Sequence, residues 1–237
     1  DGGYIMVGYT SYNDGGYYLR KLDSDGEDEL LVDDAFSWGG SPIRVHETNT
    51  TGEYIIAGTE YDGSGYLSKT YANGTEAWTQ IFDFTITDLL ITDGDEYILL
   101  GYTVEDNIYE TKLVKTDSQG QEEWNKTFGG SGHDIGFSVE QTTDGGYIMS
   151  GYTYDTLTDA VLLKTDSQGN LEWQSNHGGL GSEAAVYAFQ SDDGGYVFGG
   201  YTSSFGNGWY EDHGNGSFTH YNDLWLVKTD SEGNTSE

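Results

Sequence analysis

The chain of 237 residues contains no cysteine, a single proline and only nine lysines and arginines, against 41 aspartates and glutamates. The absence of cysteine excludes disulfides, a thiol nucleophile and thiolate metal sites. A net charge of -32 leaves no basic surface to neutralise phosphates, which excludes nucleic acids and anionic membranes as partners. No apolar run approaches the roughly 18 residues of a membrane-spanning helix, so direct membrane insertion is not expected.

The acidic residues are distributed along the whole chain rather than gathered in a tail. Aromatic residues make up 15% of the sequence, which indicates a globular protein and not a disordered one. In molar salt the Debye length shrinks to roughly 3 Å, so repulsion among many surface carboxylates is screened. The composition is similar to that of proteins from halophilic archaea, and it predicts such an origin.

The strongest signal in the sequence is an internal repeat. The segment DGGYIMVGYT at Asp1 returns in related form, with a tyrosine at the same place in each copy: Tyr4, Tyr54, Tyr97, Tyr147 and Tyr196. A second motif of the type KTDSQG runs in phase and carries a lysine: Lys21, Lys69, Lys115, Lys164 and Lys228. Four residues after the closing glycine of that motif stands a tryptophan in three copies: Trp78, Trp124 and Trp173.

Each period of this repeat predicts four short strands. In one unit they are Gly136–Thr142, Tyr147–Thr153, Ala160–Thr165 and Leu171–Ser175, separated by turns typical of antiparallel hairpins. Repeated four-stranded units predict an all-β protein, a β-propeller whose blades stack to bury their faces. We expect a single propeller domain over 1–237, with five four-stranded blades at about 1–43, 44–86, 87–135, 136–183 and 184–237.

The phase of the repeat leaves the blade number open. The sequence begins at a second strand and stops after a third strand. Pairing of the two ends would close a five-bladed ring, which is the preferred expectation. The alternative is that the chain is an excerpt from a larger propeller.

The repeat also resembles a known family. DGGYIMSGYT at Asp144 and KTDSQGNLEW at Lys164 resemble the repeats of secreted surface β-propeller proteins of archaea and bacteria. They are also similar to the blades of quinoprotein-like propellers. The resemblance covers essentially the whole chain and implies a propeller that works outside the cell or on its surface. It implies no particular activity, and the cofactor ligands of quinoprotein enzymes have no counterpart here.

The repeated lysines, tryptophans and tyrosines are expected to be scaffold. The DGG and DSQG turns should lie on the same edge of a blade, which places each lysine near turn carboxylates such as Asp144 or Asp193. The tryptophans should wedge the outer strands between blades. The tyrosines should pack between blades with their hydroxyl groups hydrogen-bonded at the rim.

Candidate ligand-binding residues lie on the opposite edge, where the connections vary. The insertion Ser203–Asn222 carries aromatic and acidic side chains that suit a sugar ring: Trp209, Tyr210, Glu211, Asp212 and His213. The interblade segment GGSGHD adds His133 and Asp134 to that edge. The alternative is that the aromatic residues of the insertion bury against their own loop.

Five sequons fit a surface-exposed glycoprotein and make their asparagines candidates for glycosylation: Asn49, Asn73, Asn125, Asn215 and Asn234. The alternative is that asparagine and threonine simply populate turns. Together with the family resemblance, the sequons predict an extracellular or cell-surface location.

Catalytic and metal-binding patterns are sparse. No pair of carboxylates stands out, and the histidines show no zinc-binding spacing. The segment at Asp23 resembles the start of a calcium loop, but position twelve is Asp34 and glycine comes fourth instead of sixth, so a hairpin turn explains it better. No cofactor is therefore predicted, and calcium at this segment is the alternative.

These observations predict a non-catalytic extracellular β-propeller that acts as a structural or interaction module, with surface proteins or glycans as partners. One alternative is a glycoside hydrolase or lyase with an acidic site on the loop face. A second alternative is a lectin that uses the Ser203–Asn222 insertion. Two neighbouring carboxylates, one of them with a raised pKa, would favour the enzyme.

Overall fold

The computed structural model describes residues 3–10, 16–33, 41–48, 52–205, 210–212, 218–220 and 222–235. Within these ranges the chain consists of β-strands joined by turns. The described part holds no helix that is long and apolar enough to cross a membrane. The strands pair antiparallel with their neighbours in sequence, as the hairpin signals predict.

Five sheets follow one another along the chain. The first contains β1 (Tyr4–Thr10), β2 (Gly16–Leu22) and β3 (Asp28–Asp33). The second contains β4 (Ser41–Glu47), β5 (Tyr54–Thr59), β6 (Gly65–Thr70) and β7 (Glu76–Phe82). The third contains β8 (Thr85–Ile91), β9 (Tyr97–Glu105), β10 (Ile108–Thr116) and β11 (Glu122–Phe128).

The fourth sheet contains β12 (His133–Gln141), β13 (Tyr147–Tyr154), β14 (Thr158–Thr165) and β15 (Leu171–His177). The fifth contains β16 (Glu183–Gln190), β17 (Tyr196–Thr202) and β20 (Asp223–Thr229). The insertion between β17 and β20 forms a hairpin of its own, β18 (Tyr210–Asp212) with β19 (Phe218–His220).

The number of strands in each sheet follows the phase of the repeat that the sequence predicts. The second, third and fourth sheets have four strands, whereas the first and fifth have three in the described part of the chain. The phase of the repeat explains the difference. The first sheet holds the second, third and fourth strands of a unit, and the fifth sheet holds the first, second and third.

The hairpins contain Asx turns, in which an aspartate side chain accepts hydrogen bonds from backbone N–H groups of the turn. Between β14 and β15, Asp166 Oδ1 accepts hydrogen bonds from two backbone N–H groups at 2.9 and 2.8 Å. Gly169 closes this turn with φ of 74°, a left-handed conformation that glycine adopts without steric strain. Asp23 accepts N–H groups of Asp25 and Glu27 in the same way, which is the hairpin turn that the sequence favoured over a calcium loop.

The chain divides into two compact units, Asp1–Thr103 with Val114–Asn125, and Val104–Leu113 with Lys126–Glu237. In each unit, the face of one sheet packs on the next sheet. In the first unit, the side chains shared between the second and third sheets include Ile55, Ala57, Leu67, Tyr97 and Leu99. In the second unit, those shared between the fourth and fifth sheets include Ile148, Ala160, Leu162, Tyr196 and Phe198.

The repeated aromatic residues belong to these cores. Trp78 contacts Tyr97 with ring centroids 6.2 Å apart, and Trp173 contacts Tyr196 at 5.3 Å, so the predicted core role of these two tryptophans is confirmed. The prediction for the tyrosine hydroxyl groups is wrong at Tyr97, whose Oη is buried and has no partner in the described part of the chain. Burial of this phenol raises its pKa to about 12.

Each repeated lysine forms an ion pair, and for Lys69, Lys115, Lys164 and Lys228 a partner lies in the turn between the first two strands of the unit, as predicted. Lys21 pairs with Glu29 on strand β3. Lys164 Nζ lies 2.9 Å from both Asp144 and Glu172, and Lys228 pairs with Asp193. The other three pairs are Lys21 with Glu29 at 2.9 Å, Lys69 with Glu53 at 2.8 Å, and Lys115 with Glu96 at 2.8 Å. The repeated lysines therefore fasten the turn-bearing edge in the second to fifth sheets.

Candidate functional site

A cleft of about 540 Å³ opens between the fourth and fifth sheets, within the second unit. Its lining residues are His133, Tyr152, Tyr154, Thr158, Ser182, Tyr201, Ser203 and Asn222. We call it the tyrosine cleft. The volume falls inside the range of about 300–1,000 Å³ that is usual for small-molecule sites.

The strand register brings these residues together. His133 opens β12 and pairs with Tyr154 at the end of β13, while Tyr201 lies near the end of β17. These strand ends lie at the opposite edge from the DGG and DSQG turns. An isolated bridge between Thr158 and Ser182 joins the two sheets there. The cleft therefore lies on the edge with variable connections, where the sequence placed function.

Glycines in the interblade segments let the loop approach the strand ends. A Cβ atom on Gly132 would lie 1.9 Å from the carbonyl oxygen of Tyr154, and one on Gly181 would lie 2.3 Å from Ser203 Oγ. The backbone N–H of Ser182 donates to Ser203 Oγ at 2.7 Å. The loop after β15 is thus fastened to the end of β17, and this contact forms one wall of the cleft.

His133 is oriented by its surroundings. The backbone N–H of Tyr109 donates to His133 Nδ1 at 3.2 Å, so the neutral imidazole carries its proton on Nε2. The ring stacks on Tyr154 with centroids 6.0 Å apart and an interplanar angle of 14°, and it contacts the ring of Tyr109 at 5.0 Å. His133 is one of the predicted ligand-binding residues, and the structure places it in the cleft wall.

Asp134 and Glu183 lie directly after cleft residues but are buried. Asp134 Oδ2 accepts the N–H of Gly130 at 3.0 Å, and Glu183 Oε2 accepts the N–H of Gly179 at 2.9 Å. Burial acts to raise the pKa of Glu183, but hydrogen bonds, first among them those from Ser204 and Gly179, outweigh it and hold the pKa below its ordinary value. Both carboxylates brace the loops under the cleft, and a direct ligand contact by Asp134 stays a prediction.

Among the residues that the structure describes, the lining of the tyrosine cleft carries no aspartate, glutamate, lysine or arginine. This is unexpected in a chain of which 21% of the residues are charged. Instead, aromatic faces alternate with hydroxyl and amide groups. Such a surface suits an uncharged ligand that has both apolar faces and hydroxyl groups.

Several described carboxylates lie in surroundings that favour their charged form. On the inner strands of the first unit, Asp88 Oδ1 lies 2.7 Å from Arg44 Nε. Where the surroundings displace a carboxylate pKa, they lower it, at Asp28, Asp62, Asp144, Asp166, Glu183, Asp193 and Asp230. In the described part of the chain, no cluster of three histidine, aspartate or glutamate side chains is arranged to hold a metal ion.

The remaining predicted site residues are only partly within the described ranges. Tyr210, Glu211 and Asp212 form strand β18, and the structure describes their backbone alone. Trp209 and His213 lie outside the described residues. Their role in ligand binding stays a prediction.

The sequon residues are distributed similarly. Asn73, Asn125 and Asn234 are exposed at the surface, whereas Asn49 and Asn215 lie outside the described residues.

Sequence reasoning missed the three cleft tyrosines. Tyr152 and Tyr201 are the tyrosine of the repeated GYT motif, and Tyr154 follows two residues later. The repeat suggested interblade packing for all tyrosines alike. The available signal was position, since the GYT tyrosine lies at the end of its strand away from the DGG turn.

Two solved structures resemble the chain over nearly its full length. A GH43 β-1,3-galactosidase matches with a TM-score of 0.50 at 10% identity, over 96% of this chain and 54% of its own. An endo-arabinase from Bacteroides thetaiotaomicron matches with a TM-score of 0.50 at 13% identity, over 98% of this chain and 95% of its own. No family model and no curated protein sequence matches the chain.

The chain thus spans about half the length of the galactosidase and nearly all of the endo-arabinase. At such low identity the likeness concerns the fold. Together with the five successive antiparallel sheets, it confirms the predicted all-β, β-propeller fold. We therefore refer to the sheets as blades from here on.

Proposed function

We propose that this β-propeller acts on carbohydrate and holds an uncharged glycan in the tyrosine cleft. The observation that carries the proposal is the described lining of the cleft, where three tyrosines, a stacked histidine and hydroxyl groups come together without a charged aspartate, glutamate, lysine or arginine among them. Tyrosine rings pack on the apolar face of a sugar, and hydroxyl and amide groups exchange hydrogen bonds with its rim. The net charge of -32 also favours an uncharged glycan, because the protein repels acidic ones.

Glycoside hydrolysis is the activity that we attach to this binding. The likeness to a galactosidase and an endo-arabinase supports the hydrolase alternative over a non-catalytic structural module. Hydrolysis requires two carboxyl groups at the scissile bond. Five described carboxylates directly follow cleft residues in the chain: Asp134, Asp155, Asp159, Glu183 and Asp223. Asp134 and Glu183 are the buried ones among them, which makes them the first pair to test.

An extracellular or cell-surface location on a halophilic organism completes the proposal. The acidic surface, the exposed sequons and the likeness of the repeats to secreted surface propellers support it. The ligand-binding role of the Ser203–Asn222 insertion is part of the same proposal, because Ser203 and Asn222 at its two ends both line the cleft.

Binding is tested by calorimetric titration of arabino- and galacto-oligosaccharides in molar salt. Tyr154→Ala should weaken binding by about tenfold or more, since it removes a stacking face worth roughly 1.4 kcal/mol. Tyr71→Ala is the matched control, because Tyr71 is 52% exposed and lies outside the cleft. Equal binding by the wild type and Tyr154→Ala would contradict the cleft as the glycan site.

Hydrolysis is tested by incubating the same oligosaccharides with the protein and measuring the release of reducing ends. Asp134→Asn and Glu183→Gln should each lower the rate by about a hundredfold or more if these carboxyl groups perform acid–base chemistry. Unfolding midpoints of both variants separate this effect from loosening of the loops. Binding without any release of sugar would leave the lectin alternative.

A further inference from the structure

The two walls of the tyrosine cleft come from the same repeat positions of two neighbouring blades. Thr153 of the fourth blade and Thr202 of the fifth hold the same place in the register of their sheets. Counted from these threonines, three pairs of lining residues are equivalent: His133 with Ser182, Tyr152 with Tyr201, and Tyr154 with Ser203. The cleft therefore consists of two equivalent parts, which we call the fourth-blade half and the fifth-blade half.

Backbone contacts join the two halves. An isolated bridge pairs Thr158 of the fourth-blade half with Ser182 of the fifth-blade half. Ser182 is also tied to Ser203, whose backbone N–H donates to the Ser182 carbonyl oxygen at 3.0 Å. The main chain thus sets the spacing of the two halves, so a ligand that reaches both of them meets groups that are already positioned.

The two halves are equivalent in position but different in chemistry. In the fourth-blade half the rings of His133 and Tyr154 stack, and Tyr154 is 42% exposed, so part of its ring is open to a ligand. The fifth-blade half has serines at both places. Ser203 Oγ already accepts the Ser182 N–H at 2.7 Å, which leaves the Ser182 hydroxyl and the Asn222 amide as polar groups of that half. One half therefore offers a stacking face, and the other offers hydrogen bonds.

Resting on the proposed glycan function of this cleft, we propose that it takes two linked, uncharged sugar units, one in each half. The first unit stacks on Tyr154, and the second forms hydrogen bonds with Ser182 and Asn222. Tyr152 and Tyr201 give each unit an aromatic neighbour. A disaccharide has the size of a small drug molecule, which a cleft of about 540 Å³ accommodates.

The arrangement makes the affinity depend on the length of the sugar chain. A single sugar contacts one half and binds best where it stacks. A linked pair gains the contacts of the second half without losing translational and rotational freedom a second time. A third unit extends beyond the two halves, so it should add little.

The first test is calorimetric titration of the wild type in molar salt with galactose and arabinose and with their di- and trisaccharides. The disaccharide of the preferred series should bind about tenfold or more tighter than its monosaccharide, and the trisaccharide within about threefold of the disaccharide. Equal binding of the monosaccharide and the disaccharide would overturn the two-unit cleft and leave the proposed function standing. Absence of binding by sugars of every length would contradict the proposed function itself.

The second test separates the halves with variants. Tyr154→Ser gives the fourth-blade half the residue that the fifth has at that position, and it should weaken binding of the monosaccharide and of the disaccharide. Ser182→Ala should weaken the disaccharide by about threefold to tenfold and leave the monosaccharide unchanged, because it removes a hydroxyl group from the second unit alone. Ser131→Ala is the matched control, since Ser131 is exposed in the loop before His133 and does not line the cleft. A Ser182→Ala variant that binds both sugars as the wild type does, or weakens both alike, would overturn the assignment of one unit to each half.

Discussion

The fourth and fifth blades carry the same repeat, yet the same residues sit in different surroundings in each. Lys164 and Lys228 occupy one repeat position, but the Lys164 side chain is 2% exposed and that of Lys228 is 45% exposed. Lys164 contacts two carboxylates, one of them Glu172 on the outer strand β15. The fifth blade has no fourth strand among the described residues, so the one described carboxylate that pairs with Lys228 is Asp193, beside a hydrogen bond to Ser191 Oγ. Neighbouring strands, and not the motif, decide what a repeat position contributes.

The largest expected effect is a difference in the free energy of unfolding between variants at Leu162 of the fourth blade and at Leu226 of the fifth. Leu162→Ala should lower the free energy of unfolding by about 2–5 kcal/mol, because it leaves a cavity in the core between the blades. Leu226→Ala, at the same register position of the fifth blade, should cost less than about 0.5 kcal/mol, because the Leu226 side chain is 74% exposed. Denaturant unfolding in molar salt, followed by tryptophan fluorescence, measures both. Equal losses would show that the two positions are not equivalent in the way the register implies.

A smaller effect should separate the two lysines. Burial acts to lower the pKa of Lys164, but hydrogen bonds with Glu172 and Asp144 outweigh it, and the pKa lies above its ordinary value. Lys164→Met should cost about 2 kcal/mol, because it leaves two carboxylates facing each other without their shared cation. Lys228→Met should cost less than about 1 kcal/mol, as is usual for exposed pairs. Unchanged or increased stability of Lys164→Met in high salt would show that the fold does not require this ion pair.

The smallest effect concerns pH and lies where the fourth blade meets the fifth. His177 ends β15 and is 9% exposed, and its Nε2 has no partner in the described part of the chain. Burial lowers its pKa below 6.5, against a smaller opposing effect of the Gly233 backbone. The unfolded chain therefore binds this proton more readily, so the contribution to stability is complete above pH 6.5 and is lost as the pH falls below it.

The matched variant for His177 comes from the repeat itself, since Phe82 and Phe128 occupy its position in the second and third blades. His177→Phe should flatten the dependence of the unfolding midpoint on pH between about pH 7 and 5. A wild-type midpoint that is already flat in this window would contradict the role assigned to His177.

Much of the fold could be predicted because it depends on local signals. The DGG and DSQG turns, the strand alternation and the pairing of Lys164 with Asp144 all follow from a spacing that recurs along the chain. The fully buried hydroxyl group of Tyr97 could not be predicted in this way, because its surroundings come from side chains distant in sequence.

The candidate site was predicted only in part. The variable connections predicted the edge of the blades at which the tyrosine cleft lies. His133 was one of the predicted ligand-binding residues. The cleft tyrosines were missed because Tyr152 and Tyr201 share their motif with tyrosines that line no such cleft. The position of the Asp134 side chain under the loop depends on a hydrogen bond from Gly130, which the spacing of residues in the sequence does not reveal.

The sequence by itself determined the strands, their turns and the lysine–carboxylate pairs, since each of these depends on residues within one repeat. Only the tertiary structure decided which repeat positions are covered, because coverage is supplied by the neighbouring blade. The tyrosine cleft arises at such a junction, between the fourth and fifth blades. The charge of -32, which dominates the composition, is absent from the described lining of that cleft.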